Sequence, residues 1–130
     1  MFVDTSAIIA ILCGEPTADQ LEQDIDDCEF AITSPLVILE ATMVLSTRLT
    51  IEPDIAETRV RHLLNSGSVA IAVVDDETAT QAVKAFQHYG KGRGSGARLN
   101  LADCLSYACA KQHRVPLLYV GDDFAKTDLA

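Results

Sequence analysis

Short apolar runs alternate along this chain with longer stretches in which apolar residues recur at helical spacing. Phe2 and Val3 make a minimal first strand. Asp4-Thr5-Ser6 then supplies capping oxygens for an apolar helix over about residues 7–13, which puts Asp4 at a strand's carboxyl end. Gly14 stops that helix, Pro16 suits the first turn of the next, and Leu21, Ile25 and Cys28 carry its period to about residue 28. Residues 30–33 read as a short strand. Ser34 and Pro35 then form a cap and first-turn pair for a helix reaching about Arg48, and Pro53 opens another to about Asn65.

Beyond the break at Ser66-Gly67, residues 69–74 form an almost continuous valine-rich apolar run, the pattern of a strand buried on both faces. Asp75 and Asp76 lead into a helix carrying Ala79, Ala82, Val83 and Phe86 and ending at Tyr89-Gly90. A glycine-rich basic loop follows. It gives way at Asn100 to a helix reaching about His113, then to a last strand over residues 117–120 and to Gly121-Asp122-Asp123. Strands alternating with helices predict an α/β fold, a three-layer α/β/α sandwich around a mainly parallel sheet. Ligands in such folds bind beyond the carboxyl ends of the strands.

At 130 residues the chain has room for one core, hence a single domain over residues 1–130. Apolar residues at 48% and charged residues at 22% exclude a disordered composition. With no basic region ahead of an apolar stretch at the start, and an early apolar run too short to cross a bilayer, the expected location is cytoplasmic. The four cysteines lack C-x-x-C spacing, so they read as reduced, buried packing residues and argue against structural zinc. A net charge of -9 opposes nonspecific binding of a polyanion by the whole surface. Residues 84–98 are the exception, with Lys84, His88, Lys91, Arg93 and Arg98 and no acid.

Glu40 is the most informative single residue. On a helix its neighbours are Leu36, Val37, Met43 and Val44, while Thr42 and Ser46 lie well around the axis. A carboxylate in an apolar stripe needs compensation by an arginine, by backbone N–H groups, or by a metal ion. Asp4 reads alone as a cap, and Asp103 as an acid favoured by the dipole of a first helical turn. Their company changes the picture, because Asp122 and Asp123 also follow a strand. If these acids meet, each pair at about 5 Å repels by roughly 3 kcal/mol at an effective dielectric of 20. A cation would relieve that, and oxygen ligands without histidine or thiol favour Mg²⁺ or Mn²⁺. Phosphodiester hydrolysis is the natural chemistry of such a centre. His62, His88 and His113 have no nucleophile beside them, and the glycines of residues 90–96 lack the Gly-Lys-Ser/Thr ending of a P-loop.

The segments VDTSAIIAIL, SPLVILEATMVL, YGKGRGSGARLNLADCLSYACAK and PLLYVGDDFAKTDL together resemble the PIN-domain family, and more narrowly the VapC-type toxins of toxin–antitoxin pairs. The resemblance implies a PIN-like fold, Mg-dependent endoribonuclease activity, neutralisation by an antitoxin protein, and a homodimer. It matches Asp4 and Asp103 to the family's metal ligands, and Glu40 to a helix glutamate that holds metal or positions water. Thr5, Ser6 and Asn100 match polar residues that orient the acids. Asp123, preceding Phe124, is the expected fourth acid, with Asp122 as the alternative. Lys91, Arg93 and Arg98 are expected to guide RNA toward the acids. GRGSG replaces the bulkier residues of the family's loop, so no RNA sequence preference carries over. Two other readings stand beside this one. A phosphoacceptor receiver domain would want an acid pair after the first strand and a lysine after the last, and an inactive binding module of the same fold would not cut RNA.

Overall fold

Most helices of this chain begin where a side-chain oxygen or a proline meets the unpaired N–H groups of a first turn. In a computed structural model covering residues 1–130, α1 (Thr5–Leu12) is capped by the Asp4 carboxylate, which accepts from the Ser6 N–H. α2 spans Ala18–Asp26. α3 (Pro35–Leu49) starts at Ser34, whose hydroxyl accepts from the Val37 N–H, with proline in the first turn, and α4 (Pro53–Ser66) also opens on a proline. α5 (Asp76–Tyr89) and α6 (Leu101–His113) each open on a reciprocal capping box, Asp75 with Thr78 and Asn100 with Asp103.

Four two-residue strands pair in parallel: β1 (Phe2–Val3), β2 (Ile32–Thr33), β3 (Ala70–Ile71) and β4 (Leu117–Leu118). Their order is β3-β2-β1-β4, with Phe2 opposite both Ile32 and Leu117. Parallel neighbours require long crossovers, which the six flanking helices provide. β1 is central, and Phe2 and Val3 are completely buried. From β1 the chain adds β2 and β3 on one side and returns to lay β4 on the other. That reversal makes the carboxyl ends of β1 and β4 a topological switch point, where connections diverge and leave a crevice.

Most expected elements lie within two residues of their observed bounds. α1 starts earlier than expected because Asp4 itself is its cap. The valine-rich run of residues 69–74 is the substantive correction. Only Ala70 and Ile71 form a strand, at the sheet edge, and Ile71 is 45% and Val73 74% exposed. A continuous apolar run signals burial on both faces only for an interior strand. Of the cysteines, all unpaired, Cys104 and Cys109 are buried as expected, whereas Cys13 and Cys28 are only half-buried. Burial pushes the Cys109 thiol up to about 11, which leaves it inert at neutral pH.

The glycine-rich loop is held at both ends. Gly90 and Leu99 form an isolated parallel bridge, with the Leu99 N–H donating to the Tyr89 carbonyl and the Lys91 N–H to the Leu99 carbonyl. Leu99 is sealed in the core and so anchors the loop immediately before the α6 cap. Leu99→Ala is expected to destabilise the protein by about 2–5 kcal/mol in urea denaturation. A loss below about 1 kcal/mol would show that the loop is not anchored there.

Candidate active site

Asp4 leaves the end of β1 with both its helix and its neighbour strand to satisfy. Its Oδ2 accepts from the Ser6 N–H at 3.1 Å and from the Ser6 hydroxyl at 2.7 Å. The same hydroxyl accepts from the Val120 N–H at 3.0 Å, just beyond β4, and so ties the carboxyl ends of β1 and the adjacent β4 together. Asp103 is placed by its own cap, with Oδ2 accepting from the Asn100 N–H while its N–H donates to the Asn100 side chain. Each of these two buried aspartates therefore commits one oxygen to a helix terminus and keeps Oδ1 without a protein hydrogen bond.

One cleft of about 300 Å³ at the switch point is lined by Asp4, Thr5, Ser6, Glu40, Asn100, Asp103 and Asp123. Asp123 is held at its rim because the next residue, Phe124, is buried and packs edge-on against Tyr119 at 5.2 Å. Asp122 does not line this cleft. Glu40 reaches it from the flank of α3, but not from within a buried stripe as expected. The buried face of α3 is Val37, Ile38, Ala41, Thr42 and Leu45, while Leu39 and Met43 are exposed and Glu40 is half-buried. The run is apolar nearly all round, so its pattern could not tell which side faces inward.

The electrostatics of the cleft are those of uncompensated carboxylates. Its one cation, Arg48, pairs with Glu15 at 3.3 Å on the same wall, and no ion pair engages Asp4, Glu40, Asp103 or Asp123. The Glu15–Arg48 pair escaped sequence analysis, since partners 33 residues apart leave no local signal. Burial pushes the Asp103 carboxyl up to about 6, aided by Asp123, Asp4 and Glu40 and opposed by the hydrogen bond from Asn100. No three of the acids are already gathered as a coordination sphere. The Thr5 hydroxyl, expected to orient an acid, is instead buried in the cleft wall without any partner. An orphaned hydroxyl beside hard oxygen donors with free Oδ1 atoms suits a hydrated divalent cation such as Mg²⁺ or Mn²⁺.

The expected RNA-guiding cations do not share this cleft. Lys91 lines a neighbouring apolar groove of about 530 Å³ between α5 and α6, which touches the acid cleft at Asn100. Arg93 sits over the Phe86 ring of that groove, 5.8 Å from its centroid. Arg98 lies in a third cleft with Asp122, Asp123 and Lys126.

Residues 1–129 match the family model described as PIN domain. A Ribonuclease VapC of Mycolicibacterium smegmatis is 41% identical, with 100% of this chain and 98% of the relative covered. A VapC ribonuclease of Rhizobium meliloti is 40% identical, with 98% of each covered. Among solved structures, Mycobacterium tuberculosis VapC20, described as a sarcin–ricin-loop-cleaving toxin, superposes with a TM-score of 0.72 at 19% identity, covering 95% of this chain and 92% of that one. A toxin–antitoxin complex from Klebsiella pneumoniae superposes with a TM-score of 0.72 at 22% identity, covering 98% and 92%. At such identity these structures bear on the fold. No helix is long and apolar enough to cross a membrane.

The raised Asp103 carboxyl sets a pH dependence of stability. Between its ordinary 3.8 and about 6 the folded chain holds a proton that the unfolded chain has released, so stability falls as pH rises through that window. With a chelator present, Asp103→Asn should melt near the parent below 3.8 and increasingly above it as pH climbs, the gap levelling off beyond about 6. Asparagine keeps an oxygen for the cap, so only the charge is removed. A melting-temperature gap that stays constant across this range would show that the Asp103 carboxyl is not raised in the folded chain.

Proposed function

The chain belongs to the PIN-domain family and, within it, to the VapC ribonucleases, and we propose that Asp4, Glu40, Asp103 and Asp123 form the centre at which it hydrolyses RNA. It is a ribonuclease toxin of the toxin–antitoxin class. The observation that carries the assignment of residues is that four carboxylates from distant parts of the chain line one cleft with no protein cation paired to any of them.

Asp4 and Asp103 would hold the metal through the oxygens their caps leave free. Bound Mg²⁺ or Mn²⁺ supplies positive charge against the phosphoryl oxygens and makes water a stronger acid. Glu40, on the α3 wall, would orient the attacking water, and Asp123 stands at the rim. Ser6 fixes Asp4 against the end of β4, and Asn100 fixes Asp103. Lys91, Arg93 and Arg98, in or beside the two clefts that adjoin the acids at Asn100 and Asp123, would draw the RNA backbone in. An antitoxin protein as partner, a homodimer and a cytoplasmic site of action complete the reading, the first supported by the Klebsiella pneumoniae complex.

Protein purified free of any partner is expected to fragment total RNA with Mg²⁺ or Mn²⁺ and not with chelator, and Asp4→Ala to abolish the fragments at unchanged fold. Wild-type protein that leaves RNA intact with either metal would make this chain a binding module of the same fold. Because burial keeps the proton on Asp103 up to about 6, protons compete with metal there. Cleavage at limiting Mg²⁺ should therefore fall as pH drops through that value and recover when Mg²⁺ is raised. A fall that extra Mg²⁺ cannot restore would place the titrating group elsewhere.

A further inference from the structure

Joined to the acid cleft at Asp123 is a second cleft of about 450 Å³, walled by Gly96, Arg98, Asp122, Ala125 and Lys126. Its two cations come from the glycine-rich loop and from the segment after β4. Neither takes part in the chain's ion pairs, which are Arg48–Glu15, Arg61–Glu57 and Lys111–Asp128. Lys126 is nonetheless seated. A Cβ built on Gly96 would stand 3.2 Å from Lys126 Cδ and 3.6 Å from its Nζ, and Gly96 has a φ of +87°, which side-chain-bearing residues rarely adopt. The lysine therefore lies across the loop backbone at a point where glycine leaves it room, two residues from Arg98.

We propose that this cleft is a second phosphate subsite, in which Arg98 and Lys126 take the RNA backbone phosphate next to the one being cleaved. The inference rests on the ribonuclease reading above and adds to it a residue, Lys126, and a path for the strand. Both cations are exposed, and although Asp122 and Asp123 line the same cleft, neither is ion-paired with them, so they remain available to an anion. Guanidinium and ammonium donors together provide charge-assisted hydrogen bonds to phosphate oxygens. Asp123 borders both clefts, so a phosphate here adjoins the acids directly. The acid cleft also meets the groove of Phe86 and Lys91, at Asn100. The strand thus runs from that groove, over the acids, into the Arg98–Lys126 cleft.

The test compares the full chain with Arg98→Gln/Lys126→Gln and with Arg59→Gln/Arg61→Gln, an equal charge change on α4, which lines neither cleft. Binding of a short, mixed-sequence, single-stranded 2′-O-methyl RNA is followed by fluorescence anisotropy across a salt series. Loss of one phosphate contact should make the slope of log K against log salt shallower by about 0.7 in the first variant. The α4 variant should keep the parental slope. In cleavage of unmodified RNA the first variant should raise KM several-fold and leave kcat near the parental value. A parental slope in the first variant, or an equal fall in both variants, overturns the subsite while leaving the ribonuclease reading in place. Wild-type protein that neither binds nor cuts RNA overturns both.

Discussion

Carboxylates brought into one cleft without a partner cation are the constraint around which this molecule is arranged. The sheet order brings the ends of β1 and β4 together, and their aspartates meet there with a third acid from the start of α6 and a glutamate from α3. The surroundings do little to neutralise them. The one arginine within reach is held by Glu15, and burial with like charge leaves the Asp103 carboxyl protonated up to about 6. Carboxyls perturbed by burial and like charge in a cleft are a usual feature of functional centres.

The fold tolerates this because the same residues also build it. Asp4 starts α1 and Asp103 completes the box that starts α6, so each acid stabilises a helix terminus with one oxygen while offering the other to the cleft. Ser6 links Asp4 to Val120 across 114 residues of sequence, coupling helix capping to the position of β4. Structural and chemical readings of these aspartates are therefore not alternatives. A cap fixes a carboxylate to within a hydrogen bond's tolerance, which is also what a metal ligand requires.

Around the acids, the surface is divided by chemistry. An apolar groove with Lys91 and Arg93 adjoins at Asn100, and a charged cleft holding Arg98 and Lys126 beside Asp122 adjoins at Asp123. Under the proposed function, an extended polyanion with exposed bases would meet complementary surface in the two clefts that adjoin the centre, in keeping with recognition of single strands by charge and apolar contact together. The acidic body elsewhere, with net charge -9, restricts such contacts to this strip.

Local signals in the sequence determined the alternation of strands and helices and nearly every cap, and marked Asp4 and Asp103 at the mouths of α1 and α6, because capping and helical period act over a few residues. Long-range pairing decided the rest. It put the valine-rich run of residues 69–74 at a sheet edge, turned Glu40 to the flank of α3, chose Asp123 over Asp122 for the cleft, and split the basic strip between two neighbouring surfaces. Which strand lies beside which depends on contacts between residues far apart in the chain, and no periodicity within one segment records them.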